Sequence, residues 1–169
     1  MLMTRRRILV AAATAVLALG TGFTPGKQMQ AEDAAGIGSI KTSYAFDVKD
    51  KRTLLNHASA VFVAEIIGAE RTDESAASTV WRVRVVQSLK GTRTGEILVR
   101  QLGYVDSARR VHAAEEQPML VPGGRRLLVT TGGADGGPAT LLAGPAASVD
   151  VGDSVRQAQV TKEYQSALE

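Results

Sequence analysis

Val80-Trp81-Arg82-Val83-Arg84-Val85-Val86-Gln87-Ser88-Leu89 is the stretch that decides the fold. Trp81, Val83 and Val85 fall on one side of an extended chain, and Arg82 and Arg84 fall on the other. That period of two is the mark of a half-buried β-strand, with Trp81 facing a core. The apolar phase meets the polar Gln87 and resumes at Leu89, which predicts a β-bulge. Residues 61–67 (VFVAEII) are nearly unbroken β-branched and aromatic sequence, so they suit a central strand. Residues 70–78 (ERTDESAAS), charged and small, read as the hairpin loop between the two.

Further strands follow on either side of turns. Lys90-Gly91 to Gly95 is a turn, and residues 96–101 (EILVRQ) are a third strand. Residues 103–117 are polar without clear periodicity and read as the longest loop, the segment best suited to contacting a partner. Pro122-Gly123 fits a type II turn, Pro fixing φ and Gly taking the left-handed position. Residues 125–131 (RRLLVTT) are a fourth strand, residues 132–137 a glycine-rich turn, and residues 139–143 (ATLLA) a fifth strand.

Helices flank this set. Residues 50–58 (DKRTLLNHA) predict a short helix with Asp50 as N-cap and Leu54, Leu55 and Ala58 on one side. Residues 155–168 predict a terminal helix, with Val155, Ala158, Tyr164 and Leu168 partly in register. Residues 42–48 (TSYAFDV) are a short first strand or an extended lead-in. Five strands in an open sheet would leave long edges exposed, and closure removes them. The expected fold is therefore mainly β: a small five-stranded OB-like barrel with short flanking helices. A two-layer sandwich is the competing architecture.

The N-terminus carries a different signal. Met1-Leu2-Met3-Thr4-Arg5-Arg6-Arg7 is purely cationic, residues 8–19 (ILVAAATAVLAL) are uncharged and apolar, and Gly20-Thr21-Gly22 breaks the run. This order is that of an export signal, and the apolar run is short for a membrane span. Thr4-Arg5-Arg6-Arg7-Ile8-Leu9 resembles the twin-arginine export motif, a receptor-read address; a general secretory signal has the same cationic start. Processing near Ala31 or near Gly22 and retention of the leader are all compatible with the residues. With no Cys, a lipid on a processed N-terminal Cys is excluded. The expected organisation is export signal and cleavage region 1–31, linker 32–41, barrel 42–149 and helical tail 150–169. The expected address is secreted or in the extracytoplasmic envelope, with no stable membrane insertion once the signal is removed.

Charge has to be counted without the leader. Residues 1–31 hold four of the 20 basic residues and none of the 17 acidic ones, which leaves 16 against 17 and a formal charge of −1. The basicity of the whole chain is a targeting feature, and the remainder has no electrostatic footprint for nucleic acid. The 138 residues after position 31 suffice for one domain.

Three pieces in order carry a family resemblance: residues 58–67 (ASAVFVAEII); residues 83–91 (VRVVQSLKG) with residues 95–101 (GEILVRQ); and residues 120–129 (LVPGGRRLLV). Together they resemble the signature of a family of small exported bacterial proteins. Its members place a short helix before an A-D-x-V-V-x-G-x-V strand, then V-x-V-x-x-x-L-K-G, then P-G-x-R-x-L-L. Ser59 stands where that pattern has Asp, and Ala64 where it has Gly. The resemblance implies a netrin-like, or TIMP-like, variant of the OB barrel and an extracytoplasmic address. It implies no activity and no functional residue.

The chemistry-bearing residues do not converge in the sequence. His57 falls on the short helix and His112 in the polar segment, and there is no Cys to complete a zinc site. Glu115-Glu116 beside His112 read as a solvated loop. No nucleophile-elbow motif is present. Residues 132–137, with Asp135, lack the Lys and Ser/Thr of a phosphate-binding loop and read as a hairpin turn. Arg82 and Arg84, joined by Arg100, share an outer strand face, a position from which OB barrels bind oligonucleotides. Yet Trp81 falls on the opposite face, and Glu65 and Glu96 stand near to screen the arginines. The expectation is a non-enzymatic module with no catalytic, metal or cofactor site. It binds an unidentified protein or envelope component and no nucleic acid. An extracytoplasmic enzyme and an oligonucleotide-binding OB module are the competing classes.

Overall fold

A computed structural model of the chain describes residues 38–40, 45–133 and 136–169. Eight strands and two helices are assigned there: β1 (Gly38–Ile40), α1 (Lys51–His57), β2 (Ala60–Asp73), β3 (Ser78–Lys90), β4 (Glu96–Val105), β5 (Val111–Ala114), β6 (Arg125–Thr131), β7 (Ala139–Leu141), β8 (Ser148–Asp150) and α2 (Ser154–Leu168). Strands β7, β4, β3, β2 and β6 pair in a ring, because β7 bonds both β6 and β4. Every pairing in that ring is antiparallel except β4 with β7, where Val99 faces Ala139 and Arg100 faces Thr140 in parallel register. The result is a closed, OB-like barrel of five strands flanked by helices. The sandwich alternative is excluded by the β4–β7 pairing. The expected export signal, residues 1–31, lies outside the described residues, and among the described residues no helix is long and apolar enough to cross a membrane.

Burial splits into two clusters. Ala60, Phe62, Ala64 and Ile66 of β2 meet Trp81, Val83, Val99, Leu128 and Leu141 inside the barrel. Val61 and Val63 of β2, with Leu127 and Val129 of β6, face the other way, onto Leu54 and Leu55 of α1 and Val160 and Tyr164 of α2. Alternate residues of β2 therefore serve different cores, which is why its sequence is a continuous apolar run. β3 is buried on both faces at its start, Ser78 to Trp81, and on one face only beyond it: Trp81 is 6% exposed and Val83 fully buried, while Arg82 and Arg84 are exposed. The register against β2 slips at four places, and two of them leave an extra residue on β3, Val86 between Val85 and Gln87 and Leu89 between Ser88 and Lys90, so irregular pairing brackets Gln87. Gln87 meets α2 instead of a hydrocarbon core, its Oε1 accepting from Gln157 Nε2 at 3.3 Å.

Local chemistry explains the element ends. Asp50 caps α1 by accepting from the Thr53 N–H at 2.6 Å. Asp153 caps α2 through the Arg156 N–H at 2.9 Å. Gly123 follows Pro122 at φ 78°, and the Gly124 N–H returns to the Val121 carbonyl at 3.2 Å, as a type II turn requires.

Several elements differ from the sequence reading. The segment 103–117 is not one long loop: β4 runs on to Val105 and folds back as β5, with the Tyr104 and His112 rings stacked 4.6 Å apart. The charged residues 70–73 continue β2, because that hairpin projects into solvent and needs no apolar side chains. Gly38–Ile40, read as linker, pairs in parallel with β5. Residues 45–48 form no strand, with bends at 45, 46 and 48, and residues 42–44 lie outside the described residues. β7 stops at Leu141, and β8, absent from the sequence reading, adds to β6. In α2 the inward residues are Val160, Thr161 and Tyr164, whereas Val155 is 76% exposed and Ala158 is exposed too.

Candidate functional site

The bulged, one-faced β3 and its partner β4 leave their outer face open, and a recess of about 440 Å³ forms there. Its apolar base is Leu98 of β4, 37% exposed; Ile97 and Ala139 also line it, but Ile97 packs against the barrel interior and Ala139 is 2% exposed. Leu98 pairs across to Arg82 and Ile97 to Val83, so the strand register sets charged and apolar side chains next to one another. One wall is the Arg82–Glu70 ion pair, in which Arg82 Nη2 and Nε both donate to Glu70 Oε2, at 2.6 and 3.1 Å. Glu96 closes a second side and is held by Arg84 Nη2 at 3.0 Å. Arg84 also approaches Glu65 at 3.6 Å, which makes a ladder of charges across three strands.

The opposite wall is the β6–β7 connection. Gly133 lies so close to β7 that a Cβ would come within 2.8 Å of the Ala139 backbone, so only glycine fits. Arg93, in the β3–β4 turn, reaches this connection and donates from Nη1 to the Gly133 carbonyl at 2.7 Å and from Nη2 to the Gly132 carbonyl at 2.6 Å. The guanidinium thus ties two turns together over one end of the barrel. Among the described residues no carboxylate pairs with it. Ala134 and Asp135 lie outside the described residues.

The residues weighed in the sequence are dispersed. His57 stacks on Phe46 at 4.0 Å at the end of α1. His112 is on β5, and its Nε2 lies 3.1 Å from Asp106 Oδ2. The Arg110 N–H, then His112 and the Arg110 side chain, hold the Asp106 carboxyl well below the usual carboxylate range. Glu116 is paired with Lys49 at 2.9 Å and does not join His112. Among the described residues no three His, Asp or Glu side chains are grouped to hold a metal ion. Arg82 and Arg84 do share the outer face, each engaged by glutamate, and Trp81 does point inward. Arg93, Leu98, Glu70 and Gly133 carried no signal in the sequence, because their meeting depends on barrel closure. A second recess, along α2, is lined by polar side chains that already bond one another, Arg125 to Gln157 at 3.2 Å and Gln157 to Gln87. No protein-family model matches the chain, and comparison with curated proteins returned no match.

Proposed function

We propose that this is an exported, non-catalytic binding module of the cell envelope, and that its ligand is received in the recess between the outer face of β3–β4 and the β6–β7 connection. The observation that carries the reading is the position of that recess: in OB-type barrels the second and third strands and the loop joining the fourth and fifth are the ligand-bearing elements. Here those are β3, β4 and the β6–β7 connection, and the recess lies against all three. Its volume of about 440 Å³ is in the range of small-molecule sites, roughly 300–1,000 Å³. The cationic start and apolar residues 8–19 support the export part.

The three sequence pieces that resemble small exported bacterial proteins fall on β2, on β3 with β4, and on the turn into β6, in support of a netrin-like variant of the barrel. Against an oligonucleotide platform stand the glutamates that occupy Arg82 and Arg84 and the inward position of the one Trp. The test has two arms. Leu17→Arg with Leu19→Arg should hold the precursor in the cytoplasm on cell fractionation. Envelope extracts titrated into the labelled protein should shift the NMR signals of Leu98, Gly133 and Ala139. Export of the double variant, or shifts gathered elsewhere on the barrel, would sink the corresponding half.

A further inference from the structure

The recess along α2, about 460 Å³, shares no lining residue with the one on the outer face of β3–β4. Arg125 and Lys162 both line it, and among the described residues no carboxylate does. Neither cation is in an ion pair there. Arg125 also borders a neighbouring recess that Glu65, Asp150 and Asp153 line, but these acids have partners of their own. Glu65 meets Arg84 at 3.6 Å, Asp150 accepts from the Gly152 N–H at 2.8 Å, and Asp153 caps α2. Gln157 Oε1 accepts from Arg125 Nη1 at 3.2 Å, which fixes the guanidinium and uses one of its five N–H donors. Thr161, 6% exposed, lines the same recess, and its buried Oγ1 has no hydrogen-bond partner among the described residues. A helical Thr often bonds the carbonyl four residues back, and this one does not. A buried hydroxyl left without a partner is costly, and the recess is where a ligand atom can supply one.

We propose that this recess is a second binding site, for a small hydroxylated polycarboxylate. Arg125 and Lys162 each take one carboxylate, and the Gln87 amide and Thr161 hydroxyl bond the polar remainder. The spacing of the cations supports more than one acidic group: Gln157, which holds the guanidinium, and Lys162 are separated by about 7.5 Å along the helix axis. A carboxylate suits the planar guanidinium fork, and Lys162 adds a mobile point charge. An amine would meet two cations. An apolar acid would find no hydrocarbon, since Ala158 is the one apolar residue among those lining the recess. The site is independent of the ligand received on the outer face of β3–β4.

Citrate is the probe, with succinate, acetate and inorganic phosphate beside it, titrated into the exported protein at low salt and followed by calorimetry and by the side-chain amide signals of Gln87, Gln157 and Gln165. Citrate should bind saturably and move those signals, with succinate weaker and acetate weaker by about tenfold or more, since one charge-assisted bond is lost. Lys162→Gln, at an exposed position, and Arg125→Gln should each weaken citrate by about the same factor, with the fold intact by circular dichroism. Thr161→Val separates a structural hydroxyl from a ligand-binding one: it should leave the urea midpoint equal or higher and still weaken citrate. Acetate or phosphate binding as tightly as citrate, or unchanged citrate binding in Lys162→Gln, overturns the two-cation assignment. A lower midpoint with unchanged citrate binding in Thr161→Val overturns the role of the hydroxyl. No movement of the glutamine signals with any probe overturns the recess as a site. The signals of Leu98 and Gly133 should stay still throughout, so failure here is distinct from failure of the outer-face reading.

Discussion

β2 and β3 are hydrogen-bonded neighbours of nearly equal length, yet they have opposite sequence habits. β2 is apolar at every position from Ala60 to Ala64, and all five side chains are buried. β3 alternates, with Val83 buried between exposed Arg82 and Arg84. The difference is the number of covered faces. β2 lies between the barrel interior and the layer made by α1 and α2, whereas β3, over Trp81 to Val86, has the barrel on one side and water on the other. A strand's apolar pattern therefore reports how many layers pack on it, and the strand left open on one face is where a ligand has room.

A parity scan with aspartate is the most severe way to break that comparison. On β2, Phe62→Asp and Val63→Asp both bury a carboxylate, one in each cluster, and each should leave the protein unfolded. Burying an unpaired charge costs several kcal/mol, against a total stability of about 5–15 kcal/mol. On β3 only the inward position should behave so: Val83→Asp unfolds, and Val86→Asp, at a bulge residue 45% exposed, stays folded. Circular dichroism and urea titration separate the four variants. A folded Val63→Asp would mean that α2 does not cover β2.

Much of the barrel could be read in the sequence, for reasons tied to local chemistry. The alternation of β3, the bulge beyond Val85, the Asp50 cap and the Pro122-Gly123 turn are each set by residues within a few positions of one another. β1 and β8 span three residues each and β5 four, so they exist through pairing and not through propensity. The candidate site was not legible. Arg93 meets carbonyls 39 and 40 residues further along the chain, and a lone cation in a polar turn has no pattern that announces such a contact. Glu70 looked like loop because its strand projects beyond the covered part of the sheet.

The covering layer on β2 can be loosened by a single atom. Tyr164 is 2% exposed within the cluster beneath α2, and its hydroxyl donates to the Ala146 carbonyl at 2.5 Å. Lys51 of α1 lies 4.9 Å from the ring centre and also pairs with Glu163, so this residue joins both helices. Tyr164→Phe should cost about 0.5–1.5 kcal/mol, the net value of one hydrogen bond. Burial, helped by Glu163, pushes the phenol above its ordinary value of 10.0. A neutral phenol held above its unfolded value stabilises the fold below pH ~10, and that contribution falls away as the pH rises further. The wild type should therefore lose stability above pH ~10 through this group, and the Tyr164→Phe variant should not. The urea-midpoint gap between the two should narrow from pH 8 to pH 11. A constant gap would show that the hydroxyl is not shut away beneath α2.

The smallest effect is expected on the open face of β3, where the charge ladder lies. Arg84 is the middle rung, between Glu96 at 3.0 Å and Glu65 at 3.6 Å, and its side chain is 55% exposed. Exposed pairs of this kind are worth about 0.2–1 kcal/mol, because water screens the charges and two long side chains lose freedom in meeting. Arg84→Ala removes two such contacts but also frees Glu65 and Glu96 to hydrate fully, so the change should stay within about 0.5 kcal/mol in urea titration. The neighbouring inward residue, Val83, gives the contrast: Val83→Ala empties part of the barrel interior and should cost about 1–3 kcal/mol. Equal losses at the two positions would erase the one-faced reading of β3. A loss above about 1.5 kcal/mol at Arg84 alone would mean that the ladder holds the outer face rigid, and the recess beside it would then be preorganised by charge as well as by the Arg93 tie.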